Sequence, residues 1–596
     1  MDQASEKPGA LGATGGLSAA PRSTAAPSLA LAAAIRRIAR LLYNHNPFYV
    51  VSTALVLYGL YVSFLGDSQA FQTRALIGGL MGFTLLLAFM AWLIVRLGNV
   101  WDDARTILLL VALLFMAVSV ACDFSLADFD PRGVRSFRSG LINFLGGYLF
   151  AVLVSEGLLL SLRIRLPFWF RAPFHLFLAL FFFYPPAIAP LLVDAWNRWL
   201  PWALFGFSPA AGLVMLTLLP AVRRGPEYLR GNGTPWAWPW FPWALFVVLG
   251  LAVALRHYSL CVSLHPVPGL ASTFRPYFLV PFLLAANVVL LEGAITARRR
   301  GLQVVALCLP IGLLALAGYD GGMNFWHREF LSDFTHLTGG TPLFYTLVSI
   351  VVLHSVAGVR RVPLAADALT LSVAALSVVG PAAQGASGYT RPEPLMLLAA
   401  GIVQLYAAHR GRSTPRLFAS ACLALAAVTT HRYGTWFTDY YGAVPWHLLL
   451  AVVLVIGTVP NDRFARWLQY AGVFLFGALL AAWGLSISDR RMAPTWATTA
   501  TIVSMGYPLA MAVLAAVYAR LVGNRAYWIV AAAHFASWAA VTGWRGYGTA
   551  RQALSGLGYL LGGAACFLFA AVISLLKTGL PQRWWTSKRP KPDTQL

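Results

Sequence analysis

Charge is scarce in this chain. Only 11% of its 596 residues are Asp, Glu, Lys or Arg, well under the share in an ordinary soluble domain, which excludes a string of water-soluble domains of that length. Acid is the scarcer sign, with 21 acidic against 44 basic residues. Lysine is nearly missing: the four present are Lys7, Lys577, Lys588 and Lys591, all in the terminal regions, so every basic residue between them is arginine. Cysteine is sparse too. Cys122, Cys261, Cys308, Cys422 and Cys566 are scattered without a C-x-x-C or other ligand spacing, which excludes a zinc module or a disulfide scaffold. Cys122 and Cys261 are the pair that fall at span ends on a common side. Also missing are a nucleotide-binding glycine loop, an HExxH helix, a GxSxG elbow and any evident internal repeat. No cofactor is legible.

What is abundant is apolar, at 59% of residues. The net charge of +23 by itself would fit nucleic acid, but on so apolar a chain it points to a membrane and its head groups instead. A helix needs roughly 17 to 25 mostly apolar residues to cross about 30 Å of hydrocarbon. Applied along the sequence, with Arg, Asp and Gly-Pro clusters as boundaries, this criterion gives eighteen segments, from 47–66 to 553–576, of which 394–409 and 415–430 are the shortest. The expected fold is all-α, a polytopic transmembrane helical bundle of about eighteen spans with no sizeable soluble domain.

Four regions follow. Residues 1–27, rich in Ala, Gly, Ser and Pro, are expected to be a disordered tail. Residues 28–44 place Leu31, Ile35, Ile38 and Leu42 opposite Arg36, Arg37 and Arg40, as in a basic amphipathic helix lying on an anionic leaflet. Residues 45–577 hold the spans, and 578–596 form a basic tail. With the amino terminus in the cytoplasm, the inner segments collect 30 of the 44 basic residues. This positive-inside bias places both termini in the cytoplasm of a bacterial-type cytoplasmic membrane, with anionic head groups as partners of the inner face.

The outer loops are the longer ones, and mix acids, histidines and arginines. Within Asp320–His336, helical spacing puts Trp326, Phe330, Phe334 and Leu337 on one stripe and Glu329, Asp333 and His336 together on its flank. Two carboxylates and an imidazole can serve as acid, base or metal ligands, although an interfacial helix on the outer leaflet needs the same amphipathic pattern. A second outer group joins Asp123, Asp128 and Asp130 to Arg132, Arg135 and Arg138, a combination able to clamp a lipid phosphate and a cation. His257, His265, Arg275, His431, Arg432 and Asp439 are further loop candidates for a shared site. Inside the spans Glu156 is the deepest acid and a candidate for ion coupling or binding, whereas Glu292 and His354 lie nearer the inner ends.

The run Tyr184-Pro-Pro-Ala-Ile-Ala-Pro190 must kink or break the fifth span, and Pro281, Pro310 and Pro508 are expected to interrupt others. Gly78 with Gly82 and Gly558 with Gly562 have the spacing of close helix packing. Broken helices and a membrane acid favour a transporter or lipid flippase. The outer acids and histidines fit instead an enzyme acting outside the cytoplasm on a lipid-linked substrate, by glycosyl or polymer transfer. A scaffold or assembly component is the third class. A lipid-linked or small-molecule substrate is expected, and nucleic acid is not.

Overall fold

Long apolar segments leave the backbone one local way to pair its own N–H and C=O groups away from water, the α-helix. A computed structural model describes residues 48–64, 70–127, 134–193, 198–236, 240–263, 274–319, 325–380, 392–430, 444–488, 499–553 and 556–577. These are helical and contain no strand. The tails 1–27 and 578–596 and the segment 28–44 lie outside them.

In chain order the helices are α1 (Phe48–Phe64), α2 (Ala70–Gly98), α3 (Trp101–Ala127), α4 (Val134–Ser161), α5 (Phe168–Ile188), α6 (Trp199–Leu216), α7 (Leu219–Arg224), α8 (Trp240–Ser263), α9 (Val280–Thr296) and α10 (Arg300–Ala317). They continue as α11 (Phe325–Thr338), α12 (Pro342–Val359), α13 (Ala365–Val378), α14 (Pro394–Gly411), α15 (Thr414–Thr430), α16 (Val444–Gly457), α17 (Arg463–Ser488), α18 (Thr499–Val522), α19 (Ala526–Ala553) and α20 (Leu557–Lys577). Each of the eighteen expected segments coincides with a helix, and among the described residues the short α7 and the amphipathic α11 are additional. Ten helices in the described residues are long and apolar enough to cross a membrane.

The chain divides into two units, residues 1–368 with 379–389, and residues 369–378 with 390–596. In the first, α3 is central and packs against α2, α4, α5 and α8. Its buried face includes Ile107, Val111, Phe115, Val118 and Cys122, in one continuous core with Phe144, Phe177, Phe181 and Phe207. The second unit is built from the antiparallel pairs α14–α15, α16–α17 and α18–α19. Ser420 Oγ donates to the Gly401 carbonyl at 2.8 Å in the first pair, and Tyr527 Oη donates to the Gln469 carbonyl at 2.7 Å between α19 and α17.

Four helices of the bundle end in the same unusual way. Arg163, Arg298, Arg361 and Arg412 have φ between 45° and 58°, the left-handed conformation in which a helix terminus normally places glycine. The residue after each donates to the carbonyl five positions back: Ile164 to Leu159, Arg299 to Ala294, Val362 to Ala357 and Ser413 to Ala408, at 2.8–3.2 Å. These bonds close a Schellman motif. An arginine there carries a left-handed cost of about 1–2 kcal/mol. In return it sets a cation at the negative end of the helix dipole.

Two packing expectations change. Among the described residues nothing stands within 4 Å of a Cβ added at Gly78, Gly82 or Gly562, so no close helix contact is seen at these three glycines. A close approach is found at Gly147, where an added Cβ would stand 2.5 Å from the Phe182 ring. Pro281 opens α9 rather than interrupting a helix, because the missing N–H of a first-turn proline is one that the helix leaves unpaired anyway.

Candidate functional site: a buried ion pair at a broken helix

Pro185 and Pro186 lie inside α5, which continues as helix to Ile188. Pro185 has no N–H, so the Phe181 carbonyl four residues earlier loses its helical partner. After Ile188 the helix gives way to a 3-10 turn over Ala189–Val193. The freed carbonyl is buried, and two neighbours satisfy it: Ser119 Oγ of α3 donates at 2.6 Å and Arg256 Nη2 of α8 at 3.3 Å. Serine and arginine thus replace the missing backbone bond. The same substitution recurs at Pro310, where Asn287 Nδ2 donates to the freed Ala306 carbonyl at 2.9 Å.

Arg256 is held on its other side by Asp123. Nη2 donates to Asp123 Oδ1 at 2.8 Å, and Nη1 pairs with Oδ2, in the two-pronged geometry that suits a guanidinium to a carboxylate. Neither side chain reaches the surface, with 0% and 2% exposed. Taking two ions out of water costs several kcal/mol each, and the pairing offsets this only because the geometry is two-pronged and the carbonyl adds a third bond. The pair is electrically neutral as a unit, which lets it stand among apolar helices. Nε of Arg256 has no hydrogen-bond partner among the described residues.

His257 follows directly and is also fully buried. Its Nε2 lies 2.9 Å from the Leu204 carbonyl of α6; a carbonyl only accepts, so that nitrogen bears the proton. Nδ1 is then an acceptor, and is buried without a partner among the described residues. Phe207, Phe274 and Phe278 enclose the ring, with centroids at 5.4, 5.8 and 5.7 Å. Tyr184 Oη donates to the Ala203 carbonyl and ties α5 to α6 beside the two prolines. Four helices, α3, α5, α6 and α8, therefore converge on one polar cluster with unused donor and acceptor capacity. Cys122 and Cys261, both buried nearby in the helices α3 and α8, are not joined in a disulfide.

Of the second outer group, Asp123 is the member whose side chain is described, and it enters this cluster. α3 continues to Ala127, so Asp123 is a buried helix residue and not a loop one. Asp128, Asp130 and Arg132 lie outside the described residues. Arg135 and Arg138 stand at the start of α4, with side chains that are not described. His257 is likewise a helix residue, because α8 runs on to Ser263. Of the other loop candidates, Arg275 precedes a 3-10 turn, and His265, His431, Arg432 and Asp439 lie outside the described residues.

Glu156 is five residues from the end of α4, in an ion pair. Arg171 Nε donates to its Oε1 at 2.7 Å, a second arginine nitrogen meets Oε2, and His175 Nε2 lies 2.6 Å from Oε1. It fastens α4 to α5 at the end opposite Pro185 and Pro186. Glu292 is held in the same manner by Arg223 at 2.8 Å and Arg360 at 3.3 Å.

On α11, Glu329 and His336 are exposed and Asp333 is half-buried. Among the described residues no three His, Cys, Asp or Glu side chains gather in a group able to hold a metal. The apolar stripe docks on protein. Phe330 packs on Trp202 at 5.1 Å and on Phe278 at 5.7 Å, and Phe334 stacks on Trp202 at 5.5 Å, while Leu337 is 61% exposed. His327, on the buried side, lies with Nδ1 3.4 Å from Tyr277 Oη. Burial and the positive charge of Arg275 push its pKa down to about 4.

Ending a span at its first Arg or Asp puts Arg256 and Asp123 at helix ends, whereas both helices run on past them. The usable signal was the apolar Ser259-Leu-Cys-Val-Ser263 beyond it, and likewise Phe124-Ser-Leu-Ala127 beyond Asp123. A charge with apolar helix on both sides is inside the fold. No protein-family model, curated protein sequence or solved structure matches the chain. Its own geometry therefore carries the functional reading.

Proposed function

We propose that the chain is an integral membrane protein of the transporter or lipid-flippase class. In this reading all eighteen apolar segments cross a bacterial-type cytoplasmic membrane, both termini are cytoplasmic, and the arginine-rich turns rest on anionic head groups. The observation that carries it is the Phe181 carbonyl, freed by Pro185 and shared by Ser119 and by Arg256 of a buried ion pair. Carriers use interrupted helices and buried charges as hinges and ligand sites, because freed backbone groups and ions have more than one set of partners available.

The test is reconstitution of the full chain in liposomes bearing a fluorescent anionic phospholipid, with dithionite reporting translocation. The intact protein is expected to accelerate translocation. Pro185→Ala, which returns a helical N–H to the Phe181 carbonyl, is expected to slow it at least tenfold without loss of folded protein. Equal rates for the two proteins, or none for either, sink the proposal. Glu329→Gln and Asp333→Asn are expected to leave translocation intact. If they instead abolish turnover of a lipid-linked glycosyl donor, the outward-facing enzyme is the reading that survives.

A further inference from the structure

We infer that the groove between α6, α9 and α12 binds a lipid phosphate carried on a single hydrocarbon chain long enough to pass the bilayer midplane. The groove is a separate feature from the buried ion pair. It encloses about 460 Å³, within the usual range for a ligand site.

Its two ends differ in chemistry. One end is lined by the aromatic side chains of Tyr277, Phe334 and Tyr345, and the other holds Glu292 and Arg360. Between them the wall is aliphatic, with Leu284, Val288, Val352 and Val356. The two hydroxyls along it are already committed: Thr346 Oγ1 donates to the Pro342 carbonyl at 2.7 Å, and Ser349 Oγ to the Tyr345 carbonyl at 2.8 Å. Hydrocarbon is what such a wall favours.

The charged end selects the head group. Glu292 faces both Arg223 and Arg360, which leaves one net positive charge, and each arginine gives it one of the several N–H groups that a guanidinium carries. Arg360, which lines the groove, and Arg223 beside it are 45% and 57% exposed, so both guanidinium groups are accessible to a ligand, and their planar fork fits phosphate. The arginine tally puts this end on the cytoplasmic side, at head-group level.

Length selects the chain. The lining on α12 runs from Pro342 to Arg360, about 27 Å at 1.5 Å per residue. That is nearly the full hydrocarbon thickness of about 30 Å and far beyond the half that one leaflet's acyl chain occupies. A polyprenyl-type phosphate has the required reach, and an ordinary two-chain phospholipid does not. As the cargo of a carrier, this ligand rests on the reading above; its binding in the groove does not.

The test measures affinity of the purified full chain for undecaprenyl phosphate, undecaprenol, dioleoyl phosphatidic acid and inorganic phosphate, by native mass spectrometry and thermal shift. Undecaprenyl phosphate is expected to bind at least tenfold more tightly than each of the other three. Arg360→Gln, which removes the fork, and Val352→Trp, which plugs the groove from an exposed position, are each expected to weaken it at least tenfold with the lipid-free melting temperature unchanged. Arg360→Lys keeps the charge and is expected to weaken it less, so it carries the head-group test should Arg360→Gln not fold. Equal affinity for phosphatidic acid, for undecaprenol or for inorganic phosphate overturns the inference, as does an affinity that neither variant moves. Tight groove binding with no translocation in liposomes keeps this inference and overturns the carrier. Translocation of undecaprenyl phosphate that persists in Val352→Trp does the reverse.

Discussion

Asp123 and Arg256, separated by 133 positions in sequence, form a two-pronged ion pair that water does not reach. It joins α3 to α8, and through the Phe181 carbonyl it also holds α5. A buried pair is poor evidence of stabilisation by itself, since a well-packed apolar pair of similar volume does as well or better. Its presence at the carbonyl that Pro185 frees is what gives it functional weight.

Removing one partner leaves the other as an uncompensated buried charge. Asp123→Asn and Arg256→Met are each expected to lower stability by about 3–5 kcal/mol. The double variant Asp123→Leu with Arg256→Met is expected to recover most of that loss. Melting temperatures of the purified variants in one detergent check this; a double variant as unstable as the sum of the singles shows that the pair is not the unit.

At Gly147 a methyl group would meet the buried ring of Phe182 at 2.5 Å, whereas at Gly146 nothing stands within 4 Å. Gly147→Ala is expected to destabilise the protein by about 1–3 kcal/mol through overpacking. Gly146→Ala is expected to be neutral or to gain up to about 1 kcal/mol from helix propensity. Paired unfolding measurements decide it, and equal effects contradict the Phe182 contact.

His327 is neutral at pH 7, with its pKa depressed to about 4 by burial and by Arg275. The unfolded chain takes up a proton near pH 6.5 and the folded chain does not. Its contribution to stability is therefore full above about pH 6.5 and falls away as the pH drops towards 4. His327→Phe is expected to flatten that part of the melting-temperature profile, and an unchanged slope rejects the assignment.

Asp462 caps α17 in the second unit. The Thr414 hydroxyl donates to it, and the Phe464 N–H donates to Oδ1 at 3.2 Å, holding the carboxyl below its ordinary range. With the folded pKa lowered, the stabilisation is present above the unfolded value, near 4, and is lost as the pH falls through the folded value. Thr414→Val and Asp462→Asn are both expected to lower the melting temperature at pH 7 and to converge with the parent protein at strongly acidic pH. A gap that stays constant with pH points to packing instead.

Eighteen apolar segments were legible from composition and length alone, and each is a helix. Local rules suffice there, because an apolar segment of that length satisfies its backbone from within itself. The backbone bond lost at Pro185 was legible for the same reason: proline lacks its N–H in any context. Which group replaces that N–H was not. Ser119 and Arg256 lie 62 and 75 residues from Phe181, and only packing brings them to its carbonyl. Glu156 stood out as a deep acid, yet its partners Arg171 and His175 come from the next helix. Glu329, Asp333 and His336 share a flank by helical geometry, but among the described residues no three such side chains gather to hold a metal. The sequence by itself determined helix positions, the bond lost at Pro185 and the distribution of arginine, since these follow from backbone chemistry and from transfer of single residues between water and hydrocarbon. Tertiary structure decided which charges meet, because pairing depends on helix neighbours that no local pattern encodes.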